Sequence, residues 1–255
     1  MRVREMDIEL YRNYSNALEK RRERGWRYNE MKPCGVKYNS VFCALSYDVH
    51  HQRFRDYKRE SDEIIATLGL NASQTVVDMG CGTGAFAINA ARHCRKVFAV
   101  DVSKAMLGCA RRKAKRAGLD NIEFGHGGFL TYEHQQEPVD AIVSTVVLHH
   151  LPNFWKLIGL QRMAQMLKPE GKLFLFDVVF SFDVNDYKDR LDNWIKSTAE
   201  KAGLTFAMEA QTHVHEEYST FDWIMEGLLE QAGFVIDKAE DKDEFIAAYL
   251  CTKKG

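Results

Sequence analysis

Residues Thr75–Ala87 read TVVDMGCGTGAFA. Val76, Val77 and Met79 are apolar strand formers around one acid, Asp78. Gly80, Gly82 and Gly84 follow at alternate positions, and after them comes a helix-forming run, AFAINAARHC. A strand, a glycine turn and a helix in that order offer backbone N–H groups to the polar part of a ligand, because no Cβ blocks its approach. Two ligand classes fit. Gly80-x-Gly82-x-x-Ala85 satisfies the loose dinucleotide form G-x-G-x-x-A. Asp78, however, puts a carboxylate beside the loop, which suits an ammonium group and repels a pyrophosphate.

Outward from this stretch the pattern alternates. KVFAVDVS reads as the next strand, and Lys104–Ala117 as a helix with Ser103 as N-cap and Gly118 as its stop. NIEFG is a short strand. VDAIVSTVV is an almost unbroken apolar run, as expected of a central strand covered on both faces. A helix over Phe154–Leu167, ended by KPEG, leads to the buried strand KLFLFDVV. This βαβαβ order predicts a doubly wound α/β sheet, parallel for most of its width, with helices on both faces. STFDWIMEGLLEQAGF reads as a helix opened by a capping box of Ser219 with Asp222. The last two strand-like runs, FVIDKAE and EFIAAYLCTKK, have only DKDE between them, too short for a parallel crossover, so they pair as a hairpin.

Two regions lie outside the alternation. Residues 1–60 are charged and aromatic and read as an N-terminal helical extension or lid, with a second helix from near Tyr47 to Thr67. A helical insertion, containing DYKDRLDNWIKSTAEKAGL, occupies 180–218 within the domain at 61–255. Over the 255 residues, 35 Lys and Arg balance 36 Asp and Glu, so no global positive field attracts a nucleic-acid backbone. The basic run CARRKAKRAG reads as the solvated face of an amphipathic helix. Six cysteines without CxxC spacing, a polar start (MRVREMDIELYRNY) that is no signal peptide, and no apolar run of membrane-spanning length predict a reduced, cytoplasmic chain with no membrane partner.

VVDMGCGTG, VFAVDVS, DAIVSTVVLHHL and LKPEGKLFLFD, in this order and spacing, resemble the successive motifs of the class I S-adenosylmethionine-dependent methyltransferases. The resemblance covers about Ile64 to Lys253; its first motif is specific, and the ordered set of motifs more so. It implies a seven-stranded Rossmann-like sheet whose last strand is antiparallel, S-adenosyl-L-methionine as cofactor and S-adenosyl-L-homocysteine as product. Position by position, it implies that the backbone of Gly80, Cys81, Gly82 and Gly84 contacts the methionine portion, with Asp78 near the amino group. Asp101, followed by Val102, is to accept hydrogen bonds from the ribose hydroxyls, and Ser144 is to offer its carbonyl near the methionine amino group. Where many members carry an acid after the third strand to reach the adenine amino group, this chain has Gly127-Gly128-Phe129. Gly128 lacks the side chain, and Phe129 is the substitute, flanking the adenine. Tyr47 resembles a tyrosine that many small-molecule methyltransferases set over the cofactor.

His149 and His150, in LHHL beyond the fourth strand, are candidates for a base or for positioning the acceptor. Tyr38, Phe42 and Trp194 are candidate acceptor contacts from the two lid segments. No histidine spacing such as HxxxH supports a metal site, so none is expected. The reading is methyl transfer to a small-molecule acceptor by in-line displacement. An RNA or DNA methyltransferase and a non-catalytic S-adenosylmethionine-binding scaffold are the alternatives. Against the first, Ser144-Thr145-Val146-Val147 stands where base N-methyltransferases carry an Asn/Asp-Pro-Pro-aromatic motif. The acceptor, the atom methylated and the oligomeric state are not legible in the sequence.

Overall fold

The structure is a computed structural model that describes residues 25–32, 34–35 and 55–255. The N-terminal candidates Tyr38, Phe42 and Tyr47 lie outside the described residues.

The stretch at Thr75–Met79 forms β1, buried along its whole length. It pairs in parallel with β2 (Lys96–Asp101) on one side and β4 (Val139–Thr145) on the other. The sheet runs in the order 3-2-1-4-5-8-7, with β3 at Ile122–His126, β5 at Leu167–Phe180, β7 at Phe234–Asp241 and β8 at Ile246–Lys253. β8 lies antiparallel to both β5 and β7, so the hairpin turns one strand against an otherwise parallel sheet. A two-residue β6 (Thr220–Phe221) adds to the end of β5. The chain reverses its direction of winding between β1 and β4, and a ligand crevice opens at that switch point, beyond the C-terminal ends of the strands.

Helices cover both faces. α1 (Tyr57–Leu68), α2 (Ala85–Ala90) and α3 (Lys104–Arg116) bury Ile64, Phe86 and Leu107 against one face. α4 (Asn153–Met166) and α7 (Asp222–Gln231) bury Leu160, Met163, Met225 and Leu229 against the other. On α3, Ala110 and Ala114 face the core while Arg111, Arg112, Lys115 and Arg116 are exposed, so the basic run is a solvated face. Between β5 and β6 stand α5 (Tyr187–Ala202) and α6 (Leu204–His215), two helices joined at Gly203 and packed on each other.

Three local expectations change. The helix expected from near Tyr47 begins, within the described residues, at Tyr57, where the Asp56 side chain accepts the Arg59 N–H. The helix expected over Phe154–Leu167 and ended by KPEG runs over Asn153–Met166, and KPEG itself belongs to β5. Leu167 pairs with Val139 directly after α4, and Lys168–Gly171 form a bulge before pairing resumes at Ala141 and Lys172. Glu170 has φ +60° there, and a Cβ on Gly171 would lie 2.9 Å from the Lys168 carbonyl. The expected capping box is absent, because Thr220 and Phe221 bond to Val179 and Phe180 and draw Ser219 away from the helix start. Asp222 instead accepts the N–H of its neighbour Trp223.

Candidate active site

The three glycines of the loop after β1 all have positive φ, +79° at Gly80, +52° at Gly82 and +82° at Gly84, which side chains rarely tolerate. Their surroundings differ. A Cβ on Gly80 would meet Val147 at 2.5 Å and one on Gly84 would meet Ala110 at 2.9 Å, but nothing lies within 4 Å of Gly82. Gly80 and Gly84 are therefore glycine for packing, and Gly82 is the open place where a ligand reaches bare backbone. The Gly80 and Cys81 N–H groups donate to the Val100 carbonyl, which ties the loop to β2.

Two acids flank this loop. Asp101, at the end of β2, accepts the Gly82 N–H through one oxygen (2.8 Å) and the Ser103 N–H through the other (2.7 Å). Ser103 caps α3 by accepting the Met106 N–H. Asp78 is 2% exposed, and its Oδ2 has no hydrogen-bond partner among the described residues. Burial, with a smaller push from Asp101, raises its carboxyl to about 7. Asp78 and Cys81 lie on one side of the loop, in a small pocket shared with Arg55 and Glu60. Arg55 is held to Glu60 by two of its nitrogens.

On the other side of the loop a larger cavity opens, walled by Gly80, Gly82, Asp101, Val102, Gly128 and Phe129. Its far wall is Thr145, Val146, Val147, His150 and Leu151, and its cover is Tyr28, Glu30, Met31, Lys32 and Cys34. Val146 has φ +56°, a strained conformation for a β-branched residue, of a kind that concentrates at functional sites. The cover is anchored at several points. Trp26 stacks on Trp155 and the Tyr28 hydroxyl donates to the His150 carbonyl. The Glu30 carboxylate accepts the Leu130 N–H and the Thr131 hydroxyl. A Cβ on Gly128 would lie 2.6 Å from Glu30 Oε2, so the acid that is missing after β3 has its space filled by an acid from the N-terminal segment.

Ser144 and Trp194 are not at this cavity. Ser144 is wholly buried inside β4, paired with Leu175, and Thr145–Val147 form the wall one residue further on. Trp194 stacks on Phe245 with centroids 4.5 Å apart and an interplanar angle of 4°, in an aromatic cluster with Phe180, Phe182 and Phe221. That cluster fastens α5 to the end of the sheet.

The two histidines separate in role. His150 lines the cavity, whereas His149 is 2% exposed and is not part of its lining. His149 Nδ1 lies 2.5 Å from Asp177 Oδ1, and its backbone N–H donates to Asp177 Oδ2. Its Nε2 faces Glu217 Oε2 at 3.3 Å. Burial opposes the charged imidazole, yet Asp177 and Glu217 outweigh it and raise the pKa. Held between two carboxylates, His149 is no free base. Burial and His149 together push His150 down to about 3, which keeps it neutral. Glu217 also contacts His213 Nδ1, and a Cβ on Gly35 would lie 2.0 Å from Glu217 Oε1. The cover and the end of the insertion therefore meet over the histidine turn, which is consistent with the Tyr28 ring standing edge-on to Tyr218.

Sequence reasoning missed Glu30, Asp177 and Glu217. Asp177 carried a readable signal, an acid at the end of the buried strand KLFLFDVV. Glu30 and Glu217 carried none, since only tertiary folding brings Glu30 to the cavity and Glu217 to the histidines.

A methyltransferase-domain family profile matches residues 76–171. An uncharacterized methyltransferase of Geobacillus kaustophilus is 26% identical over 203 residues, covering 72% of this chain and 93% of its own. A demethylmenaquinone methyltransferase of Oceanobacillus iheyensis is 26% identical over 140 residues, 54% of this chain and 55% of its own. Among solved structures, magnesium protoporphyrin IX methyltransferase of Synechocystis with bound S-adenosylhomocysteine superposes with a TM-score of 0.58 at 18% identity, covering 96% of this chain and 99% of that one.

Proposed function

For this chain, which is a class I S-adenosylmethionine-dependent methyltransferase, we propose that the methyl acceptor is a small molecule that enters beside His150. The observation that carries this reading is the cover. Tyr28, Glu30, Met31, Lys32 and Cys34 line the cavity together with the glycine loop and Val147, so among the described residues it is bounded on several sides and Lys32 is the one lysine or arginine in its lining. The near-zero net charge agrees. Acceptors named for two similar proteins, demethylmenaquinone and magnesium protoporphyrin IX, are small molecules as well.

The residues present suit the cofactor. The unpartnered Asp78 oxygen and the nearby Arg55 match a zwitterionic amino-acid end, and the open backbone at Gly82 admits it. Asp101 retains lone pairs for a ribose diol beyond its two backbone bonds. Glu30 stands where a carboxylate could receive the adenine amino group, beside the buried Phe129. When bound, the cofactor supplies an electrophilic methyl on a sulfonium. The chain's part is to hold the acceptor in line with it and exclude water, and orientation of this kind is worth roughly 7–11 kcal/mol in well-aligned systems. Among the described residues no helix is long and apolar enough to cross a membrane. The five described cysteines are free, which supports a cytoplasmic location.

The test is a binding measurement followed by an acceptor screen. Purified protein is expected to bind S-adenosylhomocysteine by calorimetry and to ignore NAD. With labelled cofactor it is expected to methylate members of a small-compound panel and to leave RNA and DNA unlabelled. Transfer to nucleic acid alone would overturn the small-molecule reading, and absence of any transfer would favour the scaffold.

A further inference from the structure

The group behind the cavity wall has the composition and spacing of a metal centre. One imidazole nitrogen each of His149 and His150 and an oxygen of Glu217 all lie within 4.8 Å of one another. The closest approaches are 3.3 Å for His149 to Glu217 Oε2 and 3.7 Å for His150 to Glu217 Oε1. Both exceed the 2.7–2.9 Å or so of a charge-assisted hydrogen bond. They bracket the spacing of about 3.4 Å between donors arranged tetrahedrally around an ion roughly 2.1 Å from each. We propose that His149, His150 and Glu217 bind one divalent cation of the zinc type, with Asp177 as the carboxylate that orients His149. The proposal rests on the methyltransferase reading for its purpose but not for its geometry.

Three further observations fit. Asp177 takes both the Nδ1 and the backbone N–H of His149, which fixes the ring with Nε2 turned toward Glu217. A second-layer carboxylate on the far nitrogen is the usual companion of a metal-bound histidine. Charge is suitable as well. With the imidazoles neutral, Asp177 and Glu217 carry two negative charges against one positive charge on buried Lys156, whose ammonium donates to Asn153 and to the Tyr218 carbonyl. One net negative charge remains to attract a cation. Finally, His150 and the neighbouring Cys34, whose Sγ is 3.5 Å from His150 Nδ1, both line the cavity. Two histidines and a glutamate are a donor set of catalytic zinc, which keeps a fourth position open. Here that position would open toward the acceptor pocket and would be suited to an acceptor oxygen, nitrogen or sulfur. His213 Nδ1 contacts the same Glu217 Oε2 that faces His149 and so helps to hold that carboxylate.

Full-length protein, stripped with a chelator and desalted, is titrated with Zn²⁺ by calorimetry and with Co²⁺ by visible absorption. Circular dichroism and a cooperative thermal melt check folding, and S-adenosylhomocysteine binding is measured on the same preparation. The expected result is one equivalent of saturable binding and a tetrahedral cobalt spectrum. His150→Ala and Glu217→Gln are each expected to weaken zinc by tenfold or more, and Asp177→Asn by about 10–100-fold, with S-adenosylhomocysteine still bound. Wild-type protein that binds S-adenosylhomocysteine but no zinc overturns the metal site alone. So does zinc affinity unchanged in both His150→Ala and Glu217→Gln. Zinc binding lost in those variants, in a protein with no affinity for S-adenosylhomocysteine, would support the metal site and sink the methyltransferase reading instead.

Discussion

Asp78 illustrates what a single buried acid can report. With one oxygen unpartnered and the carboxyl raised to about 7, its ionisation in the folded apo protein is resisted mainly by burial. An unfolded aspartate ionises near pH 3.9. Its contribution to stability is therefore fully present below about that pH and is lost as pH rises through about 7. Asp78→Asn is expected to remove this dependence and to raise the melting temperature of the apo protein at pH 8 more than at pH 5. The same change is expected to weaken S-adenosylhomocysteine binding, because the ammonium of the ligand loses its counter-charge. Equal effects at the two pH values would show that Asp78 is ionised in the apo fold. Asp78 and Asp101 were both legible in the sequence, as acids at the ends of strands beside a glycine loop. What was not legible is that Asp101 spends two lone pairs on Gly82 and Ser103, and so shapes the loop as well as facing the ligand.

Among the elements, legibility followed burial. β1, β4 and the body of β5 were readable because strands covered on both faces must be apolar almost throughout. The C-terminal hairpin was readable because a short connection leaves no other pairing. Failures came where tertiary contacts overrode a local signal. The bulge at Lys168–Gly171 and the two-residue β6 are set by neighbouring strands, and no short-range rule contains them. The insertion is a third case. Trp194 had the composition of a pocket residue, but its ring is stacked on Phe245. Trp194→Ala is therefore expected to cost on the order of 1–3 kcal/mol of stability, as loss of a half-buried aromatic contact does. Cofactor affinity and acceptor KM should stay within a few-fold. Denaturant unfolding and steady-state kinetics on the same preparation check this, and a large rise in acceptor KM without loss of stability would return Trp194 to the pocket.

In the molecule as a whole, the cavity is assembled from pieces far apart in sequence: the loop after β1, the ends of β2 and β3, the histidine turn after β4, and Tyr28, Glu30, Met31, Lys32 and Cys34 of the cover. A ligand that fills it touches several of these at once. S-adenosylhomocysteine is expected to slow amide exchange at Gly82, Gly128 and across the cover together, measured by hydrogen–deuterium exchange. Protection confined to the glycine loop would mean that the cover takes no part. The contact of Gly80 with Val147 then has a consequence for how such a protein changes over generations. The cofactor loop and the histidine turn abut with no room for one methyl group between them. A substitution at position 80 must displace Val147 and, through it, the turn that carries His149 and His150. A change in the loop's grip at position 80 is thus inherited together with a shift of the histidine turn, whereas the cover can be rebuilt without disturbing the loop.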